Sequence, residues 1–204
     1  MGDQYELAEL ILYAEPGGEL GARCAELWAA TSVSDLSTTA QEYPPHVTLT
    51  GFFRRHRERI GDVRLALTDA LDAAVPAGLD GVRWAGPVTL EFQANDDWVG
   101  LHVQAAWMDA VVAAFVAHTR TQPAAPGEDP LRPKAWLHVS LAYGEQFEAL
   151  GDVDDLDDLD APAAGFVGLT GESSWTVSLW ERADPGWIRL ESVEVTASST
   201  PADL

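Results

Sequence analysis

Two nearly identical tetrapeptides, far apart in the sequence, carry the residues best suited to chemistry. They read His46-Val47-Thr48-Leu49 and His138-Val139-Ser140-Leu141, and each lies in an apolar stretch. Side chains alternate between the two faces of a β-strand, so each segment presents an imidazole and a hydroxyl on one face. The two groups stand about 6.5 Å apart along the strand, and the Val and Leu of each tetrapeptide face a core.

A pair of histidines with a pair of hydroxyls suits the hydrolytic opening of a cyclic phosphate. One imidazole can deprotonate water while the other protonates the leaving alkoxide, because histidine titrates near neutral pH. The hydroxyls can hold the non-bridging phosphate oxygens and fix the phosphorus between the imidazoles. We therefore predict a catalytic set that works without a metal or other cofactor: His46, Thr48, His138 and Ser140.

A structural interpretation competes with this one. A single His-x-Ser or His-x-Thr on a strand is more often structural, and only the duplication with the same flanking Val and Leu favours a site. His56, His102 and His118 lack a hydroxyl two residues later, and we interpret them as structural or surface residues. A zinc site is disfavoured, because neither motif offers closely spaced ligands and the one cysteine, Cys24, reads as a core or boundary residue.

The elements that would position the motifs follow from apolar periodicity and turn residues. The pattern predicts helices at 19–31, 57–75 and 107–119, and strands at 7–14, 46–53, 88–93, 98–104, 136–143, 175–181 and 187–195. Paired late strands within an alternating pattern favour an α+β fold over a doubly wound parallel sheet. We expect a single domain over 1–204, divided into two lobes near 76–80, with a frayed tail after about 196.

Charge and composition limit the partners. The formal net charge is −21, which disfavours binding to long nucleic acids but leaves room for a small phosphorylated ligand in a locally positive pocket. Arg54, Arg55, Arg132 and Lys134 flank the two motifs; they either supply that local charge or are ordinary exposed residues. The acidic run at 152–160 reads as a solvated surface, since as a calcium loop it lacks the Gly and Glu of an EF-hand.

The sequence also suggests a location. No apolar run reaches the roughly 18 residues that a membrane span needs, so we expect no membrane association. The first residues carry acidic groups and no basic segment, which argues against a secretory signal. With a single cysteine, the chain fits a reducing, cytoplasmic compartment, and we expect it to act as a monomer.

The paired motifs resemble those of the 2H phosphoesterase superfamily, which is named for its two histidines. Within it the sequence looks most like the small cyclic phosphodiesterases of tRNA-splicing by-products. The resemblance covers most of the chain and rests on the segments 44–50 (PPHVTLT), 136–143 (WLHVSLAY), 175–181 (WTVSLWE) and 187–190 (WIRL). The sequence departs from that branch in its Pro-rich segment at 123–133 and in the acidic run.

The resemblance implies a bilobal fold with pseudo-twofold symmetry, an antiparallel sheet in each lobe, outer helices and a central cleft. It implies a catalytic set of His46, Thr48, His138 and Ser140, with Tyr143 lining the cleft. The substrate would be a small nucleotide, a 2′,3′-cyclic nucleotide or ADP-ribose 1″,2″-cyclic phosphate, hydrolysed to a monophosphate. Apart from the resemblance, the strand aromatics Phe92, Trp98 and Trp180 are candidates to hold a base, although core packing is their commoner role.

Two other functions compete with cyclic phosphate hydrolysis. A 2′–5′ phosphodiesterase or an RNA-end processing enzyme would share the motifs, but the acidic balance weighs against long RNA. A catalytically weak nucleotide-binding sensor belongs to a different class. Both histidines and both hydroxyls are intact, which favours an enzyme. Turnover by purified protein in EDTA separates the enzymes from the sensor.

Overall fold

The computed structural model describes residues 6–31, 43–95, 98–121, 124–143 and 173–197. The backbone alone is described at 27–31, 92, 94, 95, 99, 142 and 143. The acidic run at 152–160 and the predicted frayed end beyond residue 197 lie outside this part of the chain. Within it, strands and helices combine in an α+β fold, as predicted.

The elements follow the predicted order closely. The helices are α1 (Gly18–Thr31), α2 (Ile60–Ala74, after a 3₁₀ turn at Arg57–Arg59) and α3 (Ala106–Arg120). The strands are β1 (Leu7–Pro16), β2 (Val47–Thr48), β3 (Phe53–His56), β4 (Trp84–Ala85), β5 (Thr89–Asn95), β6 (Trp98–Gln104), β7 (His138–Tyr143), β8 (Ser173–Ala183) and β9 (Gly186–Ala197). The short β4 has no counterpart in the prediction. None of the described helices is long and apolar enough to cross a membrane.

The strands form one sheet where the resemblance implied two. Its order is β4-β9-β8-β1-β2-β7-β6-β5, with β3 also paired to β1. The halves of this sheet meet where the two motif strands pair, at Val47 and Val139. The two expected sheets are thus continuous, because the apolar residues between the motif histidines and hydroxyls pair with each other. The pairing of β4 with β9 is parallel, and the other strand pairs are antiparallel.

Side-chain alternation gives this sheet a helix face and a site face. On the helix face, Leu12 pairs with Leu179 and Ala14 with Val177, and all four side chains are fully buried. Helices α2 and α3 complete that core, as in the contact between Phe53 and Phe115. On the opposite, site face, Tyr13 pairs with both Thr48 and Ser178. Burial of the helix face therefore fixes which residues face the site.

The predicted strand at 46–53 is interrupted. Its pairing with β1 shifts by two residues between Tyr13–Thr48 and Leu10–Phe53. Thr50 fills the break, since its buried hydroxyl accepts a hydrogen bond from the Leu12 amide at 3.1 Å. The two extra residues form a bulge, and Phe52 within this segment is 47% exposed while Leu49 and Phe53 on either side stay in the core.

Candidate active site

The two motifs cross at the centre of the sheet. Because β2 and β7 are antiparallel with Val47 opposite Val139, the register places His46 opposite Ser140 and Thr48 opposite His138. All four residues lie on the site face, and the two histidines occupy diagonal corners. Diagonal positions of this kind have Cβ atoms about 7–8 Å apart, which leaves room for a phosphate between the imidazoles.

Both imidazoles are held in the same way. Nδ1 of His46 donates to the carbonyl of Pro44 at 2.8 Å, and Nδ1 of His138 donates to the carbonyl of Trp136 at 3.3 Å. A carbonyl only accepts, so each Nδ1 carries the proton in the neutral ring, and Nε2 is the nitrogen available for proton exchange. The acceptor lies two residues before the histidine in each case, so the duplication extends to the hydrogen bonds that orient the rings.

His46 lies in an aromatic corner with one acidic neighbour. The Tyr13 ring is 4.0 Å from the imidazole centroid, and the Tyr43 ring meets it edge-on at 6.0 Å. Burial lowers the pKa of His46, while the hydrogen bond to Pro44 and the negative charge of Glu15 act in the opposite direction. The neutral form is thus favoured by burial, and Glu15 stabilises the protonated form.

His138 has a different set of neighbours. The indole of Trp136 stacks on it at 4.2 Å, and Trp98 meets it edge-on at 5.1 Å. Burial lowers the pKa of His138, and the positive charges of Lys134, His46 and His102 lower it further, against the hydrogen bond to the Trp136 carbonyl. All of the charged neighbours therefore disfavour protonation of His138.

The two hydroxyls lie beside a cavity of about 260 Å³ that His46 also lines. Thr48 and Ser140 both contribute to its wall, whereas His138 is not among its lining residues and lies beside Ser140 on the site face. Ser140 Oγ also accepts a hydrogen bond from the Trp98 indole at 3.1 Å. Gly100, which pairs with Ser140, makes this arrangement possible, because a Cβ there would lie 2.2 Å from both the Trp98 ring and the Val139 carbonyl oxygen.

Of the four basic residues that flank the motifs, Lys134 lines this cavity. Its backbone amide donates to the Leu49 carbonyl at 3.0 Å, which fixes the segment beside the first motif. Arg54 instead forms a bidentate pair with Asp129, at 2.7 and 3.0 Å. Arg55 is buried and donates to the carbonyls of Arg54 and Asp129. Arg132 is exposed, and its carbonyl accepts from the amide of Gly51.

The predicted base-holding and cleft-lining residues occupy different places. Trp98 is 6% exposed and contacts both Ser140 and His138, so it supports the site residues and is too buried to stack on a base. Trp180 lines a second cavity beside His46. Phe92 pairs with Leu101, and Tyr143, after a bulge in β7, pairs with Trp98. The side chains of Phe92 and Tyr143 lie outside the described part of the structure.

Several residues at the site escaped the sequence analysis. Tyr13, Tyr43, Phe52 and Trp187 line the cavity beside His46, and His102 lies directly opposite His138 in the sheet. Tyr13 left a weak signal, as the one side chain with a polar group between Leu10 and Ala14 in an apolar strand. The others follow from register and bulges that connect distant segments. His56 and His118 lie elsewhere, bonded to the carbonyls of Pro126 and Ala114.

Among the described residues, no group of three or more His, Cys, Asp or Glu side chains is placed to hold a metal ion. The thiol of Cys24, a residue of α1, is buried in the core, and burial raises its pKa to about 12. The cavity instead combines imidazole, hydroxyl and ammonium groups. Such groups can bind a phosphate through charge-assisted hydrogen bonds.

Comparison with known proteins finds distant relatives. No protein-family model matches the chain. It is 26% identical over 198 residues to Ubiquitin-associated and SH3 domain-containing protein B of Homo sapiens, covering 95% of this chain and 28% of that protein. It is 29% identical over 140 residues to the Mus musculus protein of that name, covering 66% and 20%.

A third relative carries an enzyme name. The chain is 24% identical over 196 residues to Ecdysteroid-phosphate phosphatase of Bombyx mori, covering 95% of this chain and 27% of that protein. The chain thus spans between a fifth and somewhat over a quarter of the length of these relatives. The human and Bombyx alignments each extend over nearly the whole of this chain, including both motifs.

Proposed function

We propose that this protein is a phosphoester hydrolase that opens a small nucleotide cyclic phosphate, with His46 and His138 as the acid and base. The observation that carries the proposal is the crossing of the two motifs at Val47 and Val139. It puts two identically anchored imidazoles on diagonal corners, with a hydroxyl beside each. An in-line displacement needs its two proton-transfer groups on opposite sides of the phosphorus, and a diagonal pair provides them.

The charged neighbours favour a division of labour between the histidines. Glu15 stabilises the imidazolium of His46, whereas Lys134 and His102 destabilise that of His138. We therefore assign His46 as the acid and His138 as the base. His138 Nε2 removes a proton from water as its oxygen attacks the phosphorus. The bond from phosphorus to the ester oxygen breaks, and His46 Nε2 protonates that oxygen, which leaves a phosphate monoester and a free hydroxyl.

The remaining residues would bind the phosphate. Thr48 and Ser140 can donate to its non-bridging oxygens, and Lys134 supplies a positive charge within a protein of net charge −21. Lys134 is the only lysine of the sequence. The name of the Bombyx relative supports phosphoester hydrolysis in general, and the cyclic phosphate is the finer proposal that the paired motifs add.

The proposal is tested by turnover with purified protein in EDTA on a panel of phosphoesters. The panel contains 2′,3′-cyclic nucleotides, ADP-ribose 1″,2″-cyclic phosphate, a 2′–5′ linked dinucleotide and a phosphate monoester, with products identified by NMR. We expect the cyclic phosphates to be opened to monophosphates and the activity to survive chelation, because imidazole, hydroxyl and ammonium groups meet the phosphate charge.

Each other result points to a different function. Hydrolysis of the monoester alone would make the protein a phosphomonoesterase, in line with the name of the Bombyx relative. Cleavage of the 2′–5′ linkage alone would favour the 2′–5′ phosphodiesterase. Tight binding of the cyclic nucleotides without turnover would favour the sensor. Loss of activity in EDTA with recovery on adding a divalent ion would contradict the metal-independent mechanism.

A further inference from the structure

Two cavities meet at His46, and they differ in chemistry. The first, of about 260 Å³, holds the hydroxyls and Lys134; we call it the phosphate cavity. The second, of about 280 Å³, is also lined by His46; we call it the aromatic cavity. Tyr13, Tyr43, His46 and Trp187 line both, so one ligand of sufficient length can occupy both cavities at once.

The aromatic cavity has flat, well-supported walls. Trp187 meets Tyr43 edge-on at 5.4 Å and stacks on Phe52 at 5.6 Å with an interplanar angle of 22°. Trp180 forms another wall, and the Arg189 guanidinium lies over its ring at 4.6 Å. Rings held by such contacts lose little conformational freedom when a planar group binds between them. This geometry favours a flat aromatic ligand group.

Charge separates the two cavities. Glu15 is the acidic residue that lines the aromatic cavity, and its carboxylate is held in place by Trp180 Nε1 at 3.1 Å and by Arg189 at 2.6 Å. Glu15 and Arg189 form an ion pair without net charge, so a phosphate there meets no net positive charge, whereas in the phosphate cavity it meets Lys134. A carboxylate accepts hydrogen bonds and suits the N–H groups on the edge of a base. The charge of Lys134 thus favours the orientation of a nucleotide that puts its phosphate in the phosphate cavity.

We propose that the aromatic cavity is a nucleobase subsite, with Trp187 as its stacking wall and Glu15 at its edge, while the phosphate lies between His46 and His138. This inference rests on the proposed function and adds the part of the substrate that determines specificity. It moves the base-holding role to Trp187, which the sequence analysis did not propose for that role, and keeps Trp180 as a second wall.

The test compares a cyclic nucleotide with a cyclic phosphate that lacks a base, such as glycerol cyclic phosphate. Stacking of a base on an aromatic side chain is worth about 1–3 kcal/mol, so Trp187→Leu should lower kcat/KM on the nucleotide about 5- to 150-fold. The loss should be mainly in KM and clearly larger than the loss on the base-free substrate. Trp187→Phe, which keeps a ring, should recover much of the activity.

Trp84→Leu is the matched control, because Trp84 is a 49% exposed tryptophan of the same sheet that lines neither cavity. It should leave both substrates unaffected. Equal losses on the two substrates in Trp187→Leu would overturn the subsite, because the effect would then be structural. That result would leave the proposed hydrolysis intact, since wild-type turnover is measured independently.

A binding measurement tests the subsite if no substrate is turned over. Calorimetry with a nucleoside 2′-monophosphate and with ribose phosphate should show tighter binding of the nucleotide, and Trp187→Leu should remove the difference. Equal affinity of the wild-type protein for the two ligands would overturn the subsite even if hydrolysis were observed. A preserved difference in the variant would exclude Trp187 as the stacking wall.

Discussion

The His46 and His138 motifs share sequence and anchoring but differ in their surroundings. Each imidazole donates Nδ1–H to the carbonyl two residues earlier, and each lies diagonal to the other on the site face. His46 has Tyr13 against its ring and Glu15 nearby. His138 is packed against two tryptophans, with Lys134 and His102 nearby. The duplicated motifs therefore determine the geometry of the two imidazoles, and the neighbouring residues determine how readily each imidazole is protonated.

This difference explains how two equal motifs can do unequal work. A displacement at phosphorus needs one neutral and one protonated group, and two identical imidazoles in identical surroundings would have no preference between the two assignments. Glu15 on one side and Lys134 on the other break that equivalence. The residues responsible lie outside the motifs, so the asymmetry can be changed without touching the catalytic set.

The largest expected effect comes from removing either histidine. His46→Ala and His138→Ala should each lower kcat by roughly 10²–10⁴, as is usual for losing a general acid or base, with the fold retained. Steady-state kinetics on a cyclic phosphate, with circular dichroism as the folding control, measures this. Near wild-type turnover in either variant would contradict the two-histidine mechanism.

The same two variants distinguish the acid from the base when a second substrate is added. Loss of the acid harms a poor alkoxide leaving group far more than an activated aryl phosphodiester, whereas loss of the base harms both. We expect the loss on the alkoxide substrate, divided by the loss on the aryl substrate, to be larger for His46→Ala than for His138→Ala. Equal ratios in the two variants would break the proposed division of labour, and the reverse ordering would exchange the roles.

The hydroxyls should have a smaller effect. A hydrogen bond to a charged group contributes about 1.5–3 kcal/mol, so Thr48→Ala and Ser140→Ala should each lower kcat/KM about 10- to 100-fold. Ser140→Ala should in addition lower the free energy of unfolding, because it removes the hydroxyl that accepts the Trp98 indole hydrogen bond. Thr48→Ser is the control and should retain most activity; a loss equal to that of Thr48→Ala would indicate packing by the methyl group.

The charged neighbours should shift the pH dependence in opposite directions. Glu15→Gln removes a negative charge that stabilises protonated His46, so the pKa of His46 should fall further below 6.5. Lys134→Gln removes a positive charge, so the pKa of His138 should rise. NMR titration of the two imidazoles measures the shifts directly. The limbs of the kcat/KM profile, which belong to the coupled pair, should move accordingly. If both pKa values shifted in the same direction, Glu15 and Lys134 would not have the opposite electrostatic effects proposed here.

The smallest expected effect is on stability. Both histidines have a folded-state pKa lowered by burial, so the unfolded chain takes up protons first as the pH falls below 6.5. Stability should therefore decrease from pH 6.5 down to the folded-state pKa, by at most about 1.4 kcal/mol per pH unit for each histidine. Urea denaturation at several pH values measures the slope, and His46→Gln should reduce it. An unchanged slope would mean that His46 titrates alike in both states.

Most elements were predictable from local pattern. Helix α2 follows from apolar residues at helical spacing, and its predicted range of 57–75 contains the observed Ile60–Ala74. The hairpin of β8 and β9 follows from two alternating segments around a turn at 183–186. Such features depend on residues close in sequence, where periodicity carries the information. The break at Thr50 was not predictable, because it is stabilised by Leu12, a residue of another strand.

The sequence by itself determined the catalytic candidates and the faces they occupy. Alternation along a strand puts each histidine and its hydroxyl on one face, opposite the face that packs in the core. Only the tertiary structure decided that the motifs cross at Val47 and Val139, and that Glu15, Lys134 and Trp187 surround them. The register of the strands is determined by burial of the whole helix face, to which segments far apart in sequence contribute. A local sequence pattern does not contain this information. The different surroundings of the two histidines result from this register.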